Sequence, residues 1–100
     1  MKKIKLKKKN MSANSSRWLE RHLNDEFVIK SKIEGYRSRS SYKLIEMEKK
    51  FNFIKNSHNI LDLGCAPGGW LQVAKKFSPK SSKIVGIDLL KIDKIDNVVS

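Results

Sequence analysis

The residues best suited to do chemistry surround a glycine-rich segment in the middle of the chain. Residues 64–69 read Gly-Cys-Ala-Pro-Gly-Gly. Asp88 follows this segment by about 20 residues, the distance at which an acid binds a ribose hydroxyl pair in nucleotide-binding folds. The pattern Asp62-x-Gly64-x-x-x-Gly68 differs from the G-x-G-x-x-G of dinucleotide sites. It also differs from a phosphate loop, because no Gly-Lys-Ser/Thr follows.

This loop is expected to hold a nucleoside that carries no pyrophosphate. Its three glycines permit positive φ and a close approach to the backbone, and Pro67 contributes no N–H. The adenosine and methionine parts of S-adenosylmethionine fit that description, so we predict this cofactor. On spacing alone, a glycine turn with no ligand role is an equally good interpretation.

Hydrophobic periodicity predicts a β-α-β unit around the loop. The apolar run at residues 60–63 indicates a buried parallel strand, and apolar positions at helical spacing over 70–77 indicate a helix. Residues 83–88 indicate a second strand that ends in an acid. The loop and Asp88 therefore follow the carboxyl ends of two strands, where ligands bind open α/β sheets.

The preceding region is predicted to be helical. Ser15 or Ser16 is expected to cap a first helix, and a second helix around residues 27–33 is expected to stop at Gly35. Serines in the segment that follows can cap a third helix. Its apolar face is predicted to consist of Leu44, Met47, Phe51 and Ile54.

Positive charge is concentrated before residue 59. Residues 1–58 hold 12 lysines and 4 arginines against 6 acids, a net charge of +10, whereas residues 59–100 have a net charge of +2. This asymmetry predicts a polyanionic partner, with nucleic acid the leading candidate, because cations that neutralise phosphates release counterions. Residues 1–14 are expected to form a disordered basic tail that adds non-specific attraction.

Composition excludes several classes of protein. No stretch of the 100 residues approaches the run of about 18 apolar residues that a membrane span needs. The single cysteine, Cys65, cannot close an intrachain disulfide, and no Cys/His cluster indicates a metal site. We therefore expect a cytoplasmic protein, monomeric, with neither a metal nor a membrane partner.

Three segments resemble the FtsJ/RrmJ-like methyltransferases. Residues 62–70, Asp-Leu-Gly-Cys-Ala-Pro-Gly-Gly-Trp, are similar to the family motif D-L-G-A-A-P-G-G-W, with Cys65 where alanine is common. Residues 35–44 resemble the family's G-x-R-S-R-A-x-x-K-L. Residues 15–19 and 24–28 resemble the opening of its bacterial branch, the ribosomal RNA large subunit methyltransferase E group.

The resemblance implies an S-adenosylmethionine-dependent enzyme that methylates a uridine ribose 2′-hydroxyl in large-subunit ribosomal RNA, a step of ribosome biogenesis. Lys43 matches the first member of the family's Lys-Asp-Lys-Glu catalytic tetrad, and a lysine can orient a hydroxyl or accept its proton. The candidate cofactor-binding residues are Asp62, Gly64, Pro67, Gly68, Gly69, Trp70 and Asp88. The candidate RNA-binding residues are Arg17, Arg37, Arg39 and Lys43.

A full family domain is about twice as long as this chain, in keeping with ordinary domain sizes. We therefore expect the N-terminal part of a Rossmann-like α/β methyltransferase fold, truncated at about the third strand and preceded by basic helices. The expected organisation is a tail at 1–14, a basic helical region at 15–58, and the start of the S-adenosylmethionine-binding domain at 59–100. With the other tetrad residues expected past Ser100, the chain alone is expected to be inactive. The alternative is a non-enzymatic basic RNA-binding fragment.

Overall fold

The structure, a computed structural model, describes residues 12–100. Within that range, three helices precede a strand, a fourth helix and a second strand. They are α1 (Ala13–Asn24), α2 (Glu26–Glu34), α3 (Ser41–Phe51), β1 (Asn59–Leu63), α4 (Gly69–Phe77) and β2 (Lys83–Ile87). This order agrees with the predicted helical region followed by a β-α-β unit. Most of the predicted basic tail lies outside the described residues.

The two strands form a parallel pair joined by α4. Their register runs from Asn59 opposite Lys83 to Leu63 opposite Ile87. Beyond β2, Val99 forms a parallel bridge with Val85, and its N–H donates to the Ile84 carbonyl at 3.0 Å. β2 therefore has backbone partners on both of its edges, and the segment at Val99 occupies the position of a third strand.

Helices α3 and α4 pack on one face of this sheet. Leu71 and Val73 of α4 are completely buried, in two adjoining clusters that include Ile84 and Leu44. On the other face, Leu61 is 60% exposed and Leu63 is 71% exposed. The prediction that β1 is a buried strand is therefore wrong for this face, because no helix among residues 12–100 packs on it.

The first two helices are capped by residues at their own boundaries. Ser12 caps α1, its Oγ accepting from the Ser15 N–H at 3.1 Å. The predicted caps Ser15 and Ser16 are therefore wrong, since both lie inside α1, and the expected boundary after residue 14 also falls within that helix. Gly35 ends α2 in the left-handed conformation, with φ of 82°, as predicted.

The third helix is shorter than its apolar pattern suggested. Leu44 is buried, but Phe51 is 64% exposed at the last helical position, so the predicted face is wrong there. Ile54 does reach the core, through a turn beyond the helix. The buried Glu48 carboxylate fixes this turn by accepting from the N–H groups of Ile54 at 2.7 Å and Lys55 at 3.0 Å. Ser40, at the predicted capping position, makes no side-chain capping bond.

Candidate functional site

A cavity of about 330 Å³ lies at the carboxyl end of β1; we call it the glycine-loop cavity. Two serines of the segment before α3, Ser38 and Ser40, line it together with the loop. Those serines were missed as site residues, because their sequence context suggested only helix capping. The lining includes five of the seven predicted cofactor-binding residues, namely Asp62, Gly64, Pro67, Gly69 and Trp70.

The end of β2 holds the loop in place. The N–H groups of Gly64 and Cys65 both donate to the Ile87 carbonyl, at 2.6 and 3.2 Å. Gly64 and Gly68 have φ of 73° and 115°, in the left-handed region that favours glycine. The loop backbone is therefore fixed next to the sheet edge by bonds that do not depend on a ligand.

Two glycines at the start of α4 allow the protein to pack closely on itself. A Cβ on Gly69 would collide with the hydroxyl oxygens of Ser38 and Ser41, and one on Gly68 would lie 2.8 Å from Nη1 of Arg37. Gly69 also lines the glycine-loop cavity, whereas Gly68 does not. Both glycines therefore have a structural role that requires no ligand, because they allow close packing against the helical region.

Asp62 lines the glycine-loop cavity and carries a carboxylate oxygen without a hydrogen-bond partner. Its Oδ2 atom is buried and has no hydrogen-bond partner. Burial raises the pKa of this carboxyl group, and the negative charge of Asp88 raises it further. A buried polar atom without a partner costs free energy, so a cationic or hydrogen-bond-donating ligand would stabilise this site.

Asp88 lies behind the loop and does not line the glycine-loop cavity. Its Oδ1 accepts from the Leu90 N–H and its Oδ2 from the Ala66 N–H, both at 2.8 Å. These backbone bonds lower the pKa of the carboxyl group, and the bond from Leu90 has the larger effect. Asp88 lines an adjacent opening of about 340 Å³, which it shares with Cys65. It ties the loop to β2, and its contact with a ribose stays a prediction.

Arg37, a predicted RNA-binding residue, bonds to backbone carbonyls. Its Nη1 donates to the carbonyls of Pro67 at 3.1 Å and Asp93 at 2.7 Å, and its Nη2 donates to that of Lys94 at 3.4 Å. Its own N–H donates to Oε1 of Gln72 at 2.8 Å. The side chain therefore clamps the loop and the segment after β2 to the helical region. These bonds give Arg37 a positioning role, and its contact with RNA stays a prediction.

Arg37→Ala is expected to lower the free energy of unfolding by about 1–2 kcal/mol, because hydrogen bonds from a charged donor stabilise more than neutral ones. Arg39→Ala is the matched control. Arg39 forms a half-exposed ion pair with Asp25 at 3.3 Å, and such pairs contribute little. Urea denaturation of both variants checks this. Equal losses would show that the carbonyl bonds of Arg37 do not stabilise the fold.

A second cavity of about 330 Å³ lies between α2 and α3; we call it the aromatic cavity. Lys43, exposed in the first turn of α3, lines it together with Arg39. Ser40 lines both cavities, and its carbonyl accepts from Nε1 of Trp70 at 3.0 Å. The two cavities are therefore neighbours. Arg17, on α1, lines neither of them.

The sequence of this region matches a known family. Residues 36–100 match the model described as FtsJ-like methyltransferase, which covers more than half of the chain. The chain belongs to the FtsJ-like methyltransferase family. The resemblance seen in the loop motif and around Lys43 is thereby confirmed, and both cavities lie largely within the matched residues.

Two curated relatives of this FtsJ-like chain carry the same name. It is 56% identical over 87 residues to the Ribosomal RNA large subunit methyltransferase E of Zymomonas mobilis, covering 87% of this chain and 39% of that protein. It is 53% identical over 97 residues to the protein of the same name from Erythrobacter litoralis, covering 97% of this chain and 43% of that protein. The chain thus spans about two fifths of the length of these relatives.

A solved structure shares the arrangement of this FtsJ-like chain. The crystal structure of a protein from Plasmodium falciparum, described as a ribosomal RNA methyltransferase, has a TM-score of 0.58 and 48% sequence identity. The match covers 64% of this chain and 36% of that chain. The predicted α/β class is therefore confirmed, with the parallel strand pair as its centre.

No group of three or more histidine, cysteine, aspartate or glutamate side chains is arranged to hold a metal ion over residues 12–100. No helix there has both the length and the apolar character needed to cross a membrane.

Proposed function

We propose that this chain forms the cofactor-binding part of an S-adenosylmethionine-dependent enzyme that methylates a uridine ribose 2′-hydroxyl in large-subunit ribosomal RNA. The names of the curated relatives support the RNA substrate, at 56% and 53% identity. The observation that carries the proposal is the glycine-loop cavity, whose lining includes Asp62, a residue with a buried carboxylate oxygen that has no hydrogen-bond partner.

The residues of the glycine-loop cavity fit this cofactor. Its volume of about 330 Å³ lies in the range of small-molecule sites. Gly64 leaves backbone exposed in the lining, and Trp70, which is 38% exposed, adds an aromatic wall. The Asp62 carboxylate, which lines the cavity and has one oxygen without a partner, would accept from the ammonium group of a methionine moiety. Asp62, Trp70 and the glycines would hold the cofactor.

The proposed mechanism divides the reaction between the two cavities. S-adenosylmethionine supplies an electrophilic methyl group on its sulfonium when bound. In the aromatic cavity, Lys43 is placed to orient the ribose hydroxyl oxygen or to accept its proton. The bond from Trp70 to the Ser40 carbonyl keeps the two cavities adjacent, and holding reactants in position removes much of the barrier to displacement.

A chimaera tests this function. More than half of each relative lies outside the matched segment, and β1 leaves Leu61 and Leu63 uncovered, although parallel sheets are normally covered on both faces. Residues 1–100 should therefore replace the matching segment of the Zymomonas mobilis relative. We expect tritium transfer from labelled S-adenosylmethionine to undermethylated large ribosomal subunits, with the label on a uridine ribose. A folded chimaera that binds the cofactor without transfer would contradict the proposal.

RNA binding without catalysis is the second candidate function. The net charge of +10 on residues 1–58 favours it. This charge attracts RNA without the residues that the relatives have outside the matched segment. The same chimaera separates the two functions, since RNA binding without methyl transfer would favour this second candidate.

Affinity for S-adenosylmethionine is expected to fall as the pH drops through the pKa of Asp62. Burial raises this pKa, so the Asp62 carboxyl takes up a proton at a higher pH than an ordinary aspartate and then no longer attracts an ammonium group. Cofactor binding should release a proton in that range. The lowered pKa of Asp88 keeps that group ionised there, so it adds no pH dependence.

Calorimetry on the full chain between about pH 4.5 and 7.5 checks this, since the window spans the region above the ordinary aspartate pKa. Asp62→Asn should weaken binding and remove the pH dependence. Asp96→Asn is the matched control, because Asp96 is exposed and lines neither the glycine-loop cavity nor the aromatic cavity. A pH dependence that persists in Asp62→Asn would show that another group controls binding.

A further inference from the structure

The aromatic cavity has a ring surface that is held in place. Phe27 is 37% exposed, and its ring centroid lies 5.7 Å from that of Tyr42. The Tyr42 ring meets Tyr36 edge to face at 5.6 Å, and its hydroxyl donates to Oε1 of Glu34 at 2.7 Å. The rings behind Phe27 are therefore fixed by contacts on several sides, which leaves the exposed part of Phe27 as a preformed stacking surface.

Three cations lie near this ring surface, and two of them form partly exposed ion pairs, Lys30 with Glu34 at 3.9 Å and Arg39 with Asp25 at 3.3 Å. The Arg39 guanidinium lies 5.8 Å from the Phe27 ring centroid, and Nζ of Lys30 lies 4.8 Å from that of Tyr42. Lys43 and Arg39 line the cavity together with one acid, Glu46. Exposed aromatic faces between cations are the combination that proteins use to bind single-stranded nucleic acid, because bases stack on the rings while cations contact phosphates.

We propose that the aromatic cavity binds one unpaired base of a single-stranded RNA, with Phe27 as the stacking surface and Arg39 and Lys43 as phosphate contacts. The proposal deepens the proposed function and rests on it, because it specifies the state of the RNA that the site accepts. A base in a duplex is already stacked and paired, so the cavity selects unpaired nucleotides. Ser40, shared by both cavities, places this base next to the glycine-loop cavity.

Fluorescence anisotropy with the full chain tests the stacking. The probes are a fluorescein-labelled single-stranded decauridine, a ribose-phosphate oligomer of equal length without bases, an RNA duplex of equal length, and oligoglutamate. Phe27→Leu should bind decauridine about 5- to 30-fold more weakly than the unmodified chain, a loss in the range for one stacked base. The same substitution should leave affinity for the base-free oligomer and the duplex unchanged.

Phe51→Leu is the matched control. Phe51 is an exposed phenylalanine with a neighbouring cation, Nζ of Lys50 at 5.6 Å, but it lies outside the aromatic cavity. Its substitution should not change decauridine binding. Phe27→Tyr keeps a ring and should also bind decauridine normally.

Three results would overturn the proposal. They are unchanged decauridine binding by Phe27→Leu, an equal loss on the base-free oligomer, and an equal loss on oligoglutamate, which would indicate an acidic protein partner. If Phe27→Leu loses its helical circular dichroism, the NMR signals of the Phe27 ring protons in the unmodified chain provide the test instead. Their chemical shifts should change when decauridine is added. Unchanged shifts would overturn the proposal. None of these measurements uses methyl transfer, so a chimaera without transfer would contradict the proposed function alone.

Discussion

Lys43→Ala is expected to slow single-turnover methyl transfer by the chimaera about 10²- to 10⁴-fold, the range for one general acid or base. The affinity for S-adenosylmethionine should change by less than about twofold. This separation follows from the placement of Lys43, which lines the aromatic cavity and not the glycine-loop cavity. An interaction made mainly in the transition state affects the rate more than the binding of the ground state.

Two variants sharpen this test. Lys43→Arg should not restore the rate, because a guanidinium keeps the charge but does not readily give up a proton. Lys49→Ala, on the same helix and outside both cavities, should leave the rate unchanged. If Lys43→Ala and Lys49→Ala transferred methyl groups equally fast, Lys43 would be a surface lysine, and the role implied by the family motif would be wrong at this position.

The β-α-β unit could be predicted because its signals are local. Apolar runs at residues 60–63 and 83–87 lie on either side of a helical pattern, and Gly35 stops α2 through its own backbone conformation. The exposure of Leu61 and Leu63 could not be predicted in this way. An apolar strand shows that it can be buried, but what covers each face depends on packing partners that the pattern does not contain.

The roles of charged residues were harder to predict than the elements that carry them. Arg37 and Arg39 sit two positions apart in one basic motif, yet Arg37 bonds to the carbonyl of Asp93 and Arg39 pairs with Asp25. Asp88 was correctly placed after β2, but its two oxygens accept from backbone N–H groups. A guanidinium or carboxylate has the same residue type whether it meets a ligand or the backbone, and only long-range contacts separate the two cases.

The affinity of the full chain for decauridine is expected to fall about 100-fold between 50 and 200 mM salt. That figure corresponds to about five phosphate contacts at a slope of about −0.7 for each contact on a single strand. The net charge of +10 on residues 1–58 supplies the cations, and Arg39, Lys43 and Lys30 place three of them around the aromatic cavity. Anisotropy titrations at four or more salt concentrations give the slope.

Replacing those three cations together, as Lys30→Gln, Arg39→Gln and Lys43→Gln, should reduce the slope by about 2, because each lost phosphate contact removes about 0.7. The matched triple variant changes the same number of charges in the β-α-β unit. It carries Lys75→Gln, Lys80→Gln and Lys83→Gln, all at exposed positions. Its slope should stay that of the unmodified chain, since these lysines lie outside the aromatic cavity. Equal reductions in both triple variants would mean that the affinity for RNA depends only on the total charge of the chain. The helical region would then hold no localised phosphate site.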